Sequence, residues 1–482
     1  MKQVSKLRNI FGEPKKEKFT DIAMAEVTSE GSLIAVNSTF LGVSWQSVKG
    51  CVGIFDANVP TRIPSEIPLI RGHDSYISDL KFSPFRANLL STASDDTTVK
   101  LWEIPQEGVK EDITNEIQKF TGHNRKVSHV QFNPVCNDII ASASFDNTVQ
   151  AWNMVKSEAI CKVSFGDCPT SLEWNYNGSL IGAMTKEKLC YIVDPRANAI
   201  TIKAKGHESS KIQKMCFIDE SHFITCGFSK SSTREVRLYD MRNAAEGALD
   251  DCISKLDVDH QSGIMSPFYD DGLKLLYVPG RGEGNIHYYD LTDFTIKDCS
   301  EYKSSQPQKA ITMFDKKTMD YNKCEVARFA KVVGRDLMYL SFYVPRRNPG
   351  YDPALYPPVY VGEPSITTEE WMAGTNKDPI VKEINTIDNK WAPAPMVFEK
   401  KVEEVKKAPE QEIKELKLKI EELEQKVQAL EDENSNLTAK VNTLSKENEA
   451  LKAQPVSEPP KEEAPQRNPR HKKNSEYKRE SV

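Results

Sequence analysis

The sequence lacks the marks of several large classes of protein. No stretch of eighteen apolar residues occurs, so no helical membrane span is expected. Met1-Lys2-Gln3 opens no signal peptide, and the expectation is a cytosolic protein. The ten cysteines include no Cys-x-x-Cys pair and have no histidine partners at zinc spacing. Scattered in this way, they read as small core residues in a reducing compartment. Neither sign of charge dominates: 64 basic residues stand against 70 acidic ones, a net charge of −6. That balance argues against a general nucleic-acid binder, and any contact with an acidic partner has to come from a local basic patch. No motif calls for a cofactor or a metal.

What the chain does have is a block that recurs about every forty to fifty residues. Gly72-His73 is followed by Ser94, Asp96, Thr98-Val99 and Leu101-Trp102; Gly122-His123 is followed by Ser144, Asp146, Thr148-Val149 and Ala151-Trp152. A Gly-His opening and a Trp closing at this period describe one four-stranded propeller blade. Fainter copies follow: Gly206-His207 leads to Leu238-Tyr239-Asp240, while Ile192-Val193-Asp194 and His287-Tyr288-Tyr289-Asp290 keep only the closing strand. Val52 to Asp56 upstream and Asp336 to Leu340 downstream complete the set. Seven copies over roughly 340 residues predict an all-β fold, a seven-bladed propeller.

The repeat has a chemistry of its own. A buried Trp needs a partner for its ring nitrogen, and a buried His must be satisfied through both of its nitrogens. The spacing predicts one hydrogen-bonded chain through His73, Ser94 or Thr92, Asp96 and Trp102, and another through His123, Ser144 or Ser142, Asp146 and Trp152. His, Ser and Asp together also suggest a hydrolase triad, but a set that recurs in successive blades fits a structural network, and no enzyme is expected. Gly280-Arg281-Gly282-Glu283-Gly284 resembles a phosphate-cradling loop. It falls between two strands with no helix after it, so a hairpin turn is predicted. Pro357-Pro358-Val359-Tyr360 fits a motif bound by WW domains, although packing onto the propeller is expected in so aromatic a segment.

After Phe398 glycine vanishes, and Tyr477 is the last aromatic ring of the chain. Ile413, Ile420, Val427, Asn434, Val441 and Asn448 then occupy the a positions of a heptad repeat, with Leu416, Leu423, Leu430, Leu437, Leu444 and Leu451 at d. This predicts a coiled coil of about six heptads, near 60 Å long. β-Branched residues at a with Leu at d favour two parallel strands. Asn434 and Asn448 would pair with their twins in a parallel dimer, whereas an in-register antiparallel pair sets Asn434 against Leu430. The interhelical pairs Glu412 with Lys417, Lys419 with Glu424, Lys426 with Glu431 and Glu447 with Lys452 are all attractive. A parallel homodimer is therefore expected, with a trimer or an antiparallel tetramer as the alternative. Beyond Pro455 a Pro- and Lys-rich tail ends in a basic stretch, Arg470-His471-Lys472-Lys473 through Lys478-Arg479. It reads as a disordered, solvated tail; contact with an acidic filament or acidic lipids is the sharper alternative.

Propeller, extension and terminal zipper, in that order, resemble the coronin family of actin-binding WD-repeat proteins. The resemblance begins at Lys6-Leu7-Arg8-Asn9-Ile10-Phe11-Gly12 and runs through Asp194-Pro195-Arg196, Thr225 to Ser229 and Pro267 to Asp270. The segment after the last blade carries it furthest: Val344-Pro345-Arg346-Arg347, Leu355-Tyr356-Pro357, Glu369-Glu370-Trp371 and Gly374. It implies a propeller over residues 1–344 whose last blade is closed by strands from both ends, and an extension over 345–400 packed on one face. A linker at 401–411, the coiled coil at 412–453 and the tail at 454–482 complete the expected organisation.

The function implied is binding of filamentous actin, with the dimer bundling or cross-linking filaments in the cytoplasm, at the cytoskeleton and cell cortex. Actin-nucleation and severing factors are further partners the resemblance admits. Because actin is acidic, Lys15, Lys16 and Lys18, expected just outside the first blade, and Arg125 and Lys126, after a Gly-His opening, are the candidate contacts. Ala23 follows Asp21-Ile22 where many coronins carry Arg, and Glu26 also replaces a basic position, which implies altered affinity or a shifted footprint. The rival reading is a WD-repeat scaffold for a non-actin complex.

Overall fold

The structure is a computed structural model that describes Leu7 and residues 9–47, 49–387 and 410–452. Among the described residues, seven sheets of four or more strands stand side by side, with the first strands of successive sheets adjacent. This is a seven-bladed β-propeller. Blades 1 to 6 span residues 34–71, 77–120, 127–164, 169–205, 214–257 and 268–302, each an antiparallel meander. Ala248–Leu249 adds a parallel fifth strand to blade 4.

The central strands are buried on both faces because every blade is sandwiched between two others. Leu89–Ser94 and Ile139–Ser144 are buried at all positions, so they read as mixed runs of apolar and small residues without alternation. The seven closing strands of the sequence repeat are the third strands of their sheets: Cys51–Asp56, Val99–Glu103, Thr148–Asn153, Leu189–Asp194, Arg234–Asp240, Ile286–Asp290 and Asp336–Tyr343. Glycine opens the repeat for a steric reason. A Cβ on Gly72 would lie 2.6 Å from the Trp102 ring, and one on Gly122 would lie 2.9 Å from that of Trp152.

Blade 7 is assembled from both ends of the domain. Residues 310–343 supply three strands, and Phe11–Phe19 pairs along the outside of Asp336–Tyr343 in the register Phe11 to Tyr343 and Phe19 to Leu337. A bulge interrupts the pairing between Pro14 and Lys18. Lys15, Lys16 and Lys18 therefore lie on the outer strand of the seventh blade and not beside the first, a correction that follows from this closure. Tyr288 donates to the carbonyl of Ile10 at 2.5 Å and Tyr339 to that of Ala57 at 2.7 Å, tying the closing strand and blade 1 to their neighbours.

After Tyr343 the chain runs along the propeller. Leu355, Tyr356 and Val359 are buried, and Tyr356 donates to the carbonyl of Glu325 at 2.9 Å. Tyr360 donates to the carbonyl of Pro134 at 2.8 Å, so the Pro-Pro-Val-Tyr segment is packed down. The short helix Thr368–Met372 starts with a capping box between Thr367 and Glu370 and seats Trp371, 1% exposed, against Trp174. The Gly280–Gly284 segment is a hairpin turn, with Glu283 bonded to the buried Arg234 of the preceding blade.

Glu410–Lys452 forms a separate unit, one continuous helix of 43 residues. All ten cysteines are free thiols and all but Cys252 are buried. Of the expected linker at 401–411, residues 410 and 411 already belong to this helix; the rest of it, residues 388–400 of the expected extension and the tail at 454–482 lie outside the described residues.

Candidate functional site

In blade 2 the hydroxyl of Thr92 is the hub. It accepts from Trp102 Nε1 at 2.8 Å and meets His73 Nε2 at 2.7 Å, while His73 Nδ1 lies 2.7 Å from Asp96. Blade 3 repeats this: Trp152 Nε1 to Ser142 Oγ at 2.8 Å, Ser142 to His123 Nε2 at 2.8 Å, and His123 Nδ1 to Asp146 at 3.1 Å. With Nδ1–H given to the carboxylate, Nε2 is left to accept from the hydroxyl, so every polar atom is used. Of the two hydroxyls the spacing allowed, the structure selects Thr92 and Ser142. Ser94 and Ser144 bond to the carbonyls of Tyr76 and Lys126 and brace the loop instead.

Burial opposes ionisation of Asp96 and Asp146, but hydrogen bonds from His73 or His123 and from Thr98 or Thr148 outweigh it and hold both carboxyls well below their usual range. A third copy, opened by Gly206-His207, departs from the spacing of the first two. His207 Nε2 meets Thr225 Oγ1 at 2.8 Å and Nδ1 meets Glu235 at 2.7 Å, with the acid on the third strand and not in the turn. Here burial is again opposed, by His207 and Lys255, and Glu235 is pulled down to about 2. All three imidazoles are buried, which suits these sets to holding blades together and leaves no room for a substrate.

The propeller axis holds a second polar cluster. Asp79 accepts from the Ser32 and Val130 amides, at 2.8 and 3.0 Å, and so bridges blades 1, 2 and 3. Lys214 donates to the Thr170 carbonyl at 2.6 Å and sits 3.1 Å from His129 Nε2. Burial raises Glu173 to about 7 and lowers Lys214 to about 8. Among the described residues, no group of three or more His, Cys, Asp or Glu side chains is arranged to hold a metal ion.

The candidate basic contacts fall in two separate places. Lys15 lies 3.9 Å from the buried Glu325 and Lys18 lies 2.6 Å from Asp336, whereas Lys16 is exposed. Arg125 and Lys126 sit in the loop entering blade 3; Arg125 is exposed and the Lys126 ammonium stands 4.1 Å over the Phe145 ring. Lys186 of blade 4 stands 4.7 Å over the same ring, so this patch has a third cation that sequence spacing could not bring in. Glu26 is already engaged, 3.0 Å from Lys309, and Ala23 is partly buried against the core.

On the long helix the heptad side chains are exposed. Ile420, Leu423, Val427, Leu430, Leu437, Val441 and Leu444 are between 51% and 63% exposed, and Asn434 and Asn448 are exposed with them. The side chains of Ile413, Leu416 and Leu451 lie outside the described residues.

Similarity to known proteins agrees with this architecture. Residues 65–103 and 114–153 match the WD domain, G-beta repeat; residues 337–379 match a type of WD40 repeat, and residues 1–62 a domain of unknown function, DUF1899. The chain is 38% identical over 446 residues to Coronin-A of Dictyostelium discoideum, covering 92% of this chain and 98% of that one. It is 28% identical to human Coronin-2A, covering 83% of this chain and 77% of the relative. Among solved structures, the WD40 domain of Toxoplasma gondii coronin superposes with a TM-score of 0.75 at 32% identity, covering 79% of this chain and 99% of that domain. This is the fold and family of a scaffold and not of an enzyme. With the blades, the closing amino-terminal strand and the extension that seats Trp371 all in place, the chain belongs to the coronin family.

Proposed function

We propose that this coronin binds filamentous actin through basic residues of its propeller and joins filaments as a parallel homodimer. The observation that carries the proposal is the apolar stripe of the long helix, seven large side chains each more than half exposed. Burying each against a second helix gains about 1.5–3 kcal/mol, so an uncovered stripe of this length is a strong drive to associate. Asn434 and Asn448 at a positions favour the parallel register, in which each amide meets its twin. Two weakly binding heads on one dimer then gain avidity by about 10²–10⁴ when both reach a filament.

Lys16, Arg125 and Lys126 are the cations best placed to meet an acidic filament, since Lys15 and Lys18 already face carboxylates and Lys186 lies 3.5 Å from Glu30. The protein is then expected in the cytoplasm, at the actin cytoskeleton and cell cortex, with regulators of nucleation and severing among its partners.

The test is co-sedimentation with filamentous actin at low and high salt, full-length chain beside one ending at Lys400, with sedimentation equilibrium on both. Full-length protein should pellet well, the truncation poorly, and the full-length chain alone should weigh as two copies. Ala23→Arg should strengthen pelleting if the footprint is the family's. More than two chains in solution would overturn the dimer. Failure of either form to pellet at low salt would favour the scaffold for a non-actin complex.

A further inference from the structure

The mouth of the propeller channel that faces the extension is lined in a way the actin reading does not use. The first strands of blades 3 to 5 end there in Phe132, Trp174 and Phe217, and that of blade 6 brings Tyr269 from its middle. With Tyr176 and with Tyr360 from the extension, these six rings line a cavity of about 260 Å³. Two of them have used their polar atoms, Trp174 on the carbonyl of Gln131 at 3.1 Å and Tyr360 on that of Pro134 at 2.8 Å. The Tyr269 hydroxyl is buried and has no hydrogen-bond partner among the described residues. A buried phenol in that state costs stability unless something else completes it.

The rim is acidic. Asp271 lines the cavity and is held by Lys274. Beside it Glu220, in the loop that follows Ile218, faces the carboxyl group of Asp378, the residue before the cavity-lining Pro379. Both carboxyl groups are exposed, and the charged neighbours acting on Glu220 are the acids Asp378 and Asp219. Desolvation and these acids raise Glu220 above the usual carboxylate range. Burial first, then the fields of Asp271, Asp378 and Glu220, likewise push the Tyr176 phenol up. Two carboxyl groups facing each other at the edge of an aromatic cavity are relieved by one cation seated between them and the rings.

We propose that this mouth is a docking site for a basic peptide of a partner protein, with an arginine side chain of that peptide stacked in the aromatic cavity and paired with Glu220 and Asp378. Arginine fits better than lysine for reasons of shape. Its planar guanidinium stacks on ring faces, spans two carboxylates with its forked N–H groups, and gives up hydration more readily than an ammonium. Because Tyr360, Asp378 and Pro379 come from the extension, the site exists only when the extension is packed on the propeller. The charge is opposite to that of the actin contacts, so the two surfaces take different partners and their tests separate.

The test is fluorescence anisotropy of the full-length chain with three labelled peptides, ten residues of alternating Arg and Ser, Lys and Ser, or Glu and Ser, at about 50 mM salt. The Arg peptide should bind saturably and more tightly than the Lys peptide, and the Glu peptide should not bind. Glu220→Gln with Asp378→Asn should weaken the Arg peptide at least tenfold, and Tyr176→Leu, which keeps the apolar bulk but removes the ring, at least fivefold. Asp250→Asn with Asp251→Asn removes the same charge from another exposed place and should change little. Equal loss in this control, unchanged binding in both site variants, or no saturable Arg binding would each overturn the proposal. Co-sedimentation with actin should be the same for Glu220→Gln with Asp378→Asn as for the parent, which keeps failure here distinct from failure of the actin reading.

Discussion

Trp371 of the extension donates its indole N–H to the carbonyl of Gly178 in blade 4, 2.8 Å away and 193 residues back along the chain. Gly178 sits at φ +64° in a turn braced by Asn133, whose amide donates to that same carbonyl at 2.8 Å. One carbonyl thus joins blade 3, blade 4 and the extension. Arg196 covers the other side of the indole, 5.6 Å from the ring, and bonds Asn376 at 2.7 Å.

Trp371→Ala is expected to cost about 3–5 kcal/mol, the range for emptying a buried indole site. Trp371→Phe should cost less, since most of the apolar contact remains. Urea unfolding followed by circular dichroism measures both; a loss under about 1 kcal/mol for the alanine variant would mean the extension is held elsewhere.

Removing the amino-terminal strand should open the ring. Phe19 is 1% exposed, with its ring 6.0 Å from that of Phe55 and 6.2 Å from that of Tyr339. A chain starting at Asp21 would leave Asp336–Tyr343 as an unpaired edge, an invitation to pair with other chains. Light scattering should show aggregation at concentrations where the full chain stays clear, and Phe19→Ala alone should destabilise by about 3–5 kcal/mol.

Thr92→Val keeps the shape of its side chain but removes the hub between Trp102 and His73. Each buried group left without a partner costs about 1–3 kcal/mol. The variant should melt earlier than Ser94→Ala, whose hydroxyl only braces a loop. The reverse order would mean that Thr92 is not the hub of this network.

Glu173 makes the fold lose stability as pH rises towards neutrality. Its folded pKa is raised to about 7, so the native state prefers the protonated form. The unfolded chain ionises near pH 4.3, and between that pH and about 7 each rise in pH favours unfolding. Glu173→Gln removes this slope, so its stability should gain on the parent from pH 5 to 7 and then level off. Urea midpoints of the two proteins at pH 5, 6, 7 and 8 make the comparison; a constant difference would mean that Lys81 and Lys214 keep the carboxylate ionised throughout.

The propeller was legible because its repeat is chemical and local. Gly72 has to clear the Trp102 ring, His73 has to reach Asp96, and the same spacings recur from His123 to Trp152. Heptads are local in the same sense, and the helix Glu410–Lys452 spans them in one piece. These constraints act within about fifty residues, and a sequence displays them directly. Tertiary structure alone decided everything that joins distant segments. It set Lys15, Lys16 and Lys18 on the seventh blade, because a ring closes best on a strand from its other end. It chose Thr92 over Ser94 as the hub, because strand register and not spacing sets which hydroxyl faces the indole. It brought Lys186 to Phe145 and Tyr360 to the channel mouth, pairings between surfaces whose separation along the chain carries no periodic signal.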